Sequence, residues 1–121
     1  MNPDTIREYC LKKRGKITEG FPFGEDVLVF KVYGKVFLLL SLDVHPPTVN
    51  LKCDPERAVE LRERYESVRP GYHMNKKHWN TVILDGSIPP REIREMIDHS
   101  YELVVKSLGK SVREKLRGDA R

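Results

Sequence analysis

Apolar residues recur along this chain with two different spacings, and the spacing separates predicted helices from predicted strands. Near the N-terminus the spacing is helical, with Asn2 as the cap, Pro3 in the first turn and Gly15 as the stop. We therefore expect a helix that ends near residue 14. Its last turn would hold the basic residues 12–14, where they complement the helix dipole. The face that it buries would carry Ile6, Tyr9 and Cys10.

Alternation of apolar and polar residues dominates the next part of the chain. Residues 27–33 and 36–42 are apolar runs joined by Gly34 and Lys35, which predicts a β-hairpin. An earlier strand would run into the aromatic turn at residues 20–25. Both features are typical of an antiparallel sheet.

A further strand is predicted over residues 48–53, again from a period of two. One face of this strand would meet the core through Val49, Leu51 and Cys53. Asn50 and Lys52 then face the other way, so Lys52 is expected on the open side of the sheet.

Two more helices and one more strand complete the pattern. Asp54 followed by Pro55 starts a helix. A strand over residues 80–84 comes next, and a long helix then begins at Pro90 and ends before Gly109. The second helix would bury Ala58, Leu61 and Tyr65, and the last would bury Ile93, Met96, Ile97, Tyr101, Val104 and Leu108.

These elements follow the order α-β-β-β-β-α-β-α, which predicts a single α+β domain with an antiparallel sheet and helices packed on one face. A chain of 121 residues with 39% apolar residues can make one core. We place this domain at residues 1–109. Residues 110–121 have only two large apolar residues, so we expect a basic tail that is a frayed helix or disordered.

The longest apolar run, residues 36–40, is far shorter than the roughly 20 residues that a membrane helix needs. No basic region followed by an apolar one opens the chain. We therefore expect a cytoplasmic, monomeric protein. The two cysteines, Cys10 and Cys53, are too few for a disulfide framework and are expected to be buried hydrophobic residues.

The net charge of +4 comes from clustered residues. Residues 12–16 hold four basic residues and no acid, and residues 106–121 hold six basic residues against two acids. Clusters of this kind bind polyanions in some proteins and form solvated helix ends in others.

Candidate chemistry concentrates in residues 69–82. A proline-glycine pair predicts a chain reversal there, because proline presets φ and Gly71 accepts a positive φ. Lysines could contact phosphates, asparagines could donate to phosphates or bases, and aromatic rings could stack on bases. The candidate nucleic-acid contacts are Lys52, Arg69, Tyr72, His73, Asn75, Lys76, Lys77, His78, Trp79 and Asn80.

A purely structural interpretation of the same residues stays open. Tyr72 and Trp79 could belong to the core while the two lysines solvate a turn. Metal binding is not expected, because His73 and His78 lie five positions apart with no carboxylate or cysteine beside them. The sequence has no acid–base pair, nucleophile elbow or glycine-rich phosphate loop, so we expect neither an enzyme nor a cofactor.

Four motifs resemble the MmcQ/YjbR family of small bacterial proteins. They are FPFG at residues 21–24, KVYGKVF at 31–37, LK at 51–52 and, above all, PGYHMNKKHWNTV at 70–82. The similarity runs from about Ile6 to Leu108. One departure is Val36, where the family often has methionine.

This resemblance implies an α+β fold similar to frataxin-type and secretion-chaperone-type domains, and it implies DNA binding. Two functions therefore remain open. The first is a nucleic-acid-binding module that uses the surface around residues 69–81. The alternative is a domain that binds a protein or an anionic small molecule through the same surface, and salt dependence would separate the two.

Overall fold

The computed structural model describes residues 1–72 and 74–118 as four helices and six strands. In chain order they are α1 (Pro3–Leu11), β1 (Ile17–Gly20), β2 (Val27–Val32), β3 (Lys35–Ser41), β4 (Thr48–Lys52), α2 (Pro55–Arg64), β5 (Val68–Pro70), β6 (Trp79–Ile83), α3 (Pro90–Lys106) and α4 (Lys110–Gly118).

The strands form one antiparallel sheet in the order β1-β2-β3-β4-β6-β5. The predicted α+β class and single antiparallel sheet are confirmed. β2 and β3 are joined by Tyr33 and Gly34, whose φ angles of 46° and 81° are those of a tight hairpin turn. No helix of the described part of the chain is long and apolar enough to span a membrane.

The side of the sheet that the helices cover holds the core. Phe30, Leu40, Val49 and Val82 are buried there together with Ile97 of α3. The Ser100 hydroxyl donates to the Phe37 carbonyl oxygen at 2.6 Å and accepts from the Lys52 backbone N–H at 2.9 Å. These bonds attach α3 to β3 and β4 on this side of the sheet. In the described part of the chain, the groove on the other side is lined by strand and loop residues.

β5 is a strand that the sequence pattern did not predict. It has only three residues, so it shows no period of two, and Pro70 suits only an edge strand. Of the frayed helix and the disordered segment that were expected after residue 109, residues 110–118 form a helix, α4. Val112 and Leu116 of α4 are half-buried. Residues 119–121 of the expected tail lie outside the described residues, and the boundary at residue 109 stays a prediction.

α1 is shorter than predicted because it ends at Leu11 with Lys12 as its C-cap. The expected cap at Asn2 is confirmed, since its side-chain oxygen accepts from the Thr5 N–H at 2.9 Å. Lys13 is not in a last turn. It is half-buried and forms an ion pair with Asp98 of α3. This lysine therefore holds the turn after α1 to α3 and is not a free surface charge.

Gly15 is needed where α4 meets the rest of the fold. Its φ of +90° is strained for other residues, and a Cβ there would lie 2.7 Å from Leu116 Cδ1 and 2.9 Å from Tyr33 Cε2. Leu116 therefore packs closely against the turn after α1.

We expect Leu116→Ala to lower the free energy of unfolding by about 1 kcal/mol, because a half-buried leucine contributes part of the value of full burial. Urea denaturation measures this change. Arg113→Ala on the exposed side of α4 is the control and should change stability by less than about 0.5 kcal/mol. Equal effects of the two substitutions would show that α4 does not dock.

We expect His99 of α3 to make the stability of the fold depend on pH. Its Nε2 accepts from the Asp54 N–H at 3.1 Å. Burial and the nearby Arg57 lower the pKa of His99. The unfolded chain therefore binds the proton more readily than the folded protein does. The free energy of unfolding is highest above about pH 6.5, and it decreases as the pH drops from there through the pKa of the folded state.

Denaturation midpoints measured between about pH 8 and pH 5 test this, since unshifted histidines titrate in that range. His99→Gln should flatten the decline, whereas His45→Gln, at an exposed position, should leave it unchanged. A decline of the same size in both variants would rule out His99 as its source.

Candidate binding site on the open face of the sheet

The segment from Arg69 to Trp79, here called the basic loop, reverses the chain as predicted. The Gly71 N–H donates to the Trp79 carbonyl oxygen at 2.9 Å, and the His78 N–H donates to the Asn75 carbonyl oxygen at 3.2 Å. The reason for the glycine differs from the expectation. Gly71 does not have a positive φ, but a Cβ there would lie 2.8 Å from Trp79 Cβ. Close packing, not backbone conformation, requires glycine at this position.

The basic loop is mostly exposed. Tyr72 is 69% exposed, so the interpretation of Tyr72 as a core residue is wrong. Arg69, Asn75, Lys76 and Lys77 are also exposed. His78 and Trp79 are half-buried, and His73 lies outside the described residues. Lys52 is half-buried at the end of β4, where it pairs with Trp79, so it lies beside the loop.

Asn80 does not belong to this surface. It is 2% exposed and lies on the helix side of β6, where its Oδ1 accepts from Arg62 Nε at 2.7 Å. Its Nδ2 donates to the Ala58 carbonyl oxygen at 3.4 Å. The sequence assigned Asn80 to a ligand, but the structure uses both ends of its amide inside the protein.

Arg62 of α2 is a residue that sequence reasoning missed. Besides Asn80, its guanidinium donates to the carbonyl oxygens of Lys76 and Trp79. Arg62 thus holds the basic loop from the helix side of the sheet. Nothing in the helical periodicity indicates this role, because the partners lie 14 to 18 residues away in the chain.

Several polar groups of the loop bond locally. Lys76 Nζ donates to the Gly71 carbonyl oxygen at 3.2 Å, and Arg69 Nε donates to the Glu66 carbonyl oxygen at 2.9 Å. Asn75 Oδ1 accepts from the Lys77 N–H at 2.9 Å. These bonds keep the backbone of the loop ordered while the charged ends of Lys77 and Arg69 remain at the surface.

The uncovered side of the sheet forms a concave groove of about 790 Å³, here called the open-face groove. Its floor consists of two rows of cross-strand neighbours. One row contains Leu39, Asn50, Thr81 and Arg69, and the other contains Val27, Ser41, Thr48 and Ile83.

Exposed apolar side chains border this groove. Phe23 is 71% exposed, Val44 is 41% exposed, and Tyr72 and Met74 of the basic loop complete the border. Asp43 also lines the groove. The sequence already placed Asn50 on the open side, but it did not indicate that Phe23 and Tyr72 would border the same groove.

A chain of hydrogen bonds joins the basic loop to the groove floor. The Tyr72 N–H donates to Thr81 Oγ1 at 2.9 Å, and the Thr81 hydroxyl donates to Asn50 Oδ1. Thr81 and Asn50 are each 9% exposed. The floor of the groove therefore holds the backbone of Tyr72.

Neither cysteine of the chain is an activated thiol. Burial raises the pKa of the Cys10 thiol to about 12 and that of Cys53 to about 11, so neither forms much thiolate at neutral pH. Among the described residues, which leave out His73, no group of three His, Cys, Asp or Glu side chains could hold a metal ion. The arrangement is suited to binding through apolar contact, hydrogen bonds and positive charge.

We expect Gly71→Ala to lower the free energy of unfolding by about 1–3 kcal/mol, because the added methyl group overlaps Trp79. Gly20→Ala is the control, since nothing lies within 4 Å of a Cβ at that position. Urea denaturation followed by the emission of the single tryptophan measures both. A Gly71→Ala protein as stable as the control would show that the loop accommodates a side chain.

Comparison with known proteins agrees with the family resemblance. The YjbR family model matches residues 12–103. Escherichia coli O157:H7 protein YbdF is 41% identical over 97 residues, which cover 80% of each chain. Escherichia coli K12 protein YjbR is 34% identical over 116 residues, which cover 96% of this chain and 98% of that one.

A solved structure is similar over nearly the same length. The crystal structure of Deinococcus radiodurans protein DR2400, which carries the family-model domain DUF419, superposes with a TM-score of 0.89 at 40% identity. The match covers 95% of this chain and 87% of the other. From these matches, the chain belongs to the YjbR family.

Proposed function

We propose that this protein is a non-catalytic module that binds single-stranded nucleic acid through the basic loop and the adjoining rim of the open-face groove. The observation that carries the proposal is the position of Tyr72. Tyr72 is 69% exposed, its backbone N–H donates to Thr81, and exposed cations lie on the same loop. An exposed aromatic residue on an ordered backbone next to positive charge is the combination that single-strand binders use.

Charge supports a polyanionic ligand. The basic loop contains Arg69, Lys76 and Lys77 and no acidic residue, and Lys52 lies beside it. Each lysine that contacts a phosphate releases condensed counterion, so binding by such a loop depends steeply on salt. The net charge of +4 adds a weak attraction over longer distances.

The exposed rings favour a single strand over a duplex. Bases of a duplex are stacked on one another and present only their edges, whereas unpaired bases offer their faces to Tyr72 and Phe23. The two rings border one groove, which gives successive bases more than one stacking surface.

A protein partner is the second candidate, and one observation favours it. The open-face groove is lined mainly by apolar side chains, and exposed apolar surface of this kind is common at protein interfaces. A protein interface with an apolar centre would lose much less affinity in salt than a set of phosphate contacts.

The test is binding of oligo(dT) and of a mixed duplex over a range of salt concentrations. Replacing Lys76 and Lys77 by alanine, one at a time, should reduce the magnitude of the slope of log K against log salt by about 0.7 each for a single strand. Tyr72→Ala should lower affinity by about 1–3 kcal/mol, because one stacking surface is lost.

In the matched controls, Lys110→Ala and Lys115→Ala each remove one positive charge from an exposed position of α4. They should leave the slope near that of the parent, and the controls and Lys77→Ala should keep the parent's melting midpoint. No measurable binding by the parent at low salt would remove the nucleic-acid proposal and favour the protein partner.

A further inference from the structure

We propose that the open-face groove is a binding site for a planar, largely apolar molecule that carries a hydrogen-bond acceptor, and that the Asn50 side-chain amide recognises this acceptor. The groove is lined by Arg69 but by neither Lys76 nor Lys77 of the basic loop. This site can therefore be tested separately from nucleic-acid binding.

One end of the Asn50 amide is bound to Thr81. The Thr81 hydroxyl accepts from the Tyr72 N–H and donates its one proton to Asn50 Oδ1. In this arrangement the oxygen of the amide faces Thr81 and the nitrogen faces away.

The Nδ2 of Asn50 can donate hydrogen bonds to a ligand in the groove. Asn50 is 9% exposed, and within residues 1–72 and 74–118 no hydrogen bond uses its Nδ2. In the same part of the chain, no fully buried side-chain nitrogen or oxygen lacks a partner. Nδ2 is therefore open to the groove, which Asn50 lines. Two N–H donors at the floor of an apolar depression favour a ligand with an acceptor.

The apolar and aromatic side chains that line the groove indicate the shape and polarity of the rest of the ligand. Val27, Leu39 and Ile83 offer apolar surface on the floor, and the Phe23 and Tyr72 rings stand at the border. A volume of about 790 Å³ lies in the range of small-molecule sites. Flat apolar rings fit between aromatic side chains better than bulky polar groups do.

Charge sets the direction of the ligand. Arg69 lies in the same cross-strand row as Thr81 and Asn50, so an anionic acceptor on Asn50 would be attracted toward the β5 side of the groove. Asp43 also lines the groove and repels an anion placed near it. The acceptor end of the ligand should therefore point toward Arg69 and away from Asp43.

Two sources could supply this chemistry, an unpaired base of a nucleic acid or a free aromatic acid. Both present a flat ring with a carbonyl or carboxylate oxygen. The experiment uses three probes, namely 2-naphthoate, thymidine 5′-monophosphate and 2-naphthylmethylamine. The last has the same ring as the first but carries an ammonium group with no acceptor.

Isothermal titration calorimetry on the full chain should give saturable binding of 2-naphthoate and weaker binding of the amine. Asn50→Leu should weaken naphthoate binding at least about tenfold, since the hydrogen bond to the acceptor is lost. Thr18→Leu is the matched control, because Thr18 is an exposed strand residue outside the groove and should leave the affinity unchanged.

A measurement on the parent protein avoids dependence on how well the variant folds. In nitrogen–proton correlation spectra, the two Nδ2 protons of Asn50 should shift on titration with 2-naphthoate, while the backbone amide of Ala58, on the other side of the sheet, should not. An unmoved Asn50 side-chain signal would overturn the proposal. Equal binding of the amine, or equal binding by the parent and Asn50→Leu, would overturn it as well.

Competition separates the two sources and the two proposals. If oligo(dT) and thymidine 5′-monophosphate displace 2-naphthoate, the groove takes a base, and both proposals are supported. Binding of 2-naphthoate without any binding of oligo(dT) supports the groove and overturns nucleic-acid binding. Binding of oligo(dT) to a protein that binds neither small probe overturns the groove proposal and leaves nucleic-acid binding supported.

Discussion

The pairing of β4 with β6 is the constraint on which the site depends. This register sets Asn50 opposite Thr81 on the open side and Leu51 opposite Asn80 on the helix side. A slip of one residue would exchange the two faces, bury the polar pair under the helices and expose the leucine. The apolar residues of both strands exclude that slip, because Val49, Leu51 and Val82 must all meet the core.

Thr81 connects the sheet to the loop that carries the exposed ring. Its hydroxyl accepts from Tyr72 and donates to Asn50, so one side chain positions both the border and the floor of the groove. On the opposite side of β6, Arg62 bonds to Asn80 and to carbonyl oxygens of the loop. The basic loop is therefore attached from both faces of the sheet. Such attachment lowers the entropy that ordering would cost on binding.

The basic loop and the open-face groove are two adjacent surfaces with different chemistry. Lys76 and Lys77 provide charge at the surface, whereas the groove provides apolar area and a single amide donor. Tyr72 and Arg69 belong to both. A ligand with an anionic backbone and flat rings would use the two surfaces together, and a small aromatic acid would use only the groove.

The sequence by itself determined the first three helices, most of the strands and the family. It also determined which face of β4 is buried, because caps, turns and hydrophobic periods act between residues close in the chain. The motif at residues 70–82 predicted where the basic loop lies. It did not predict which residues of the loop are exposed. Only the tertiary structure decided that Asn80 bonds to Arg62 inside the protein and that Lys13 pairs with Asp98. It also decided that Tyr72 is exposed while its backbone N–H bonds to Thr81. Each of these outcomes depends on a contact between distant parts of the chain, which no local pattern encodes.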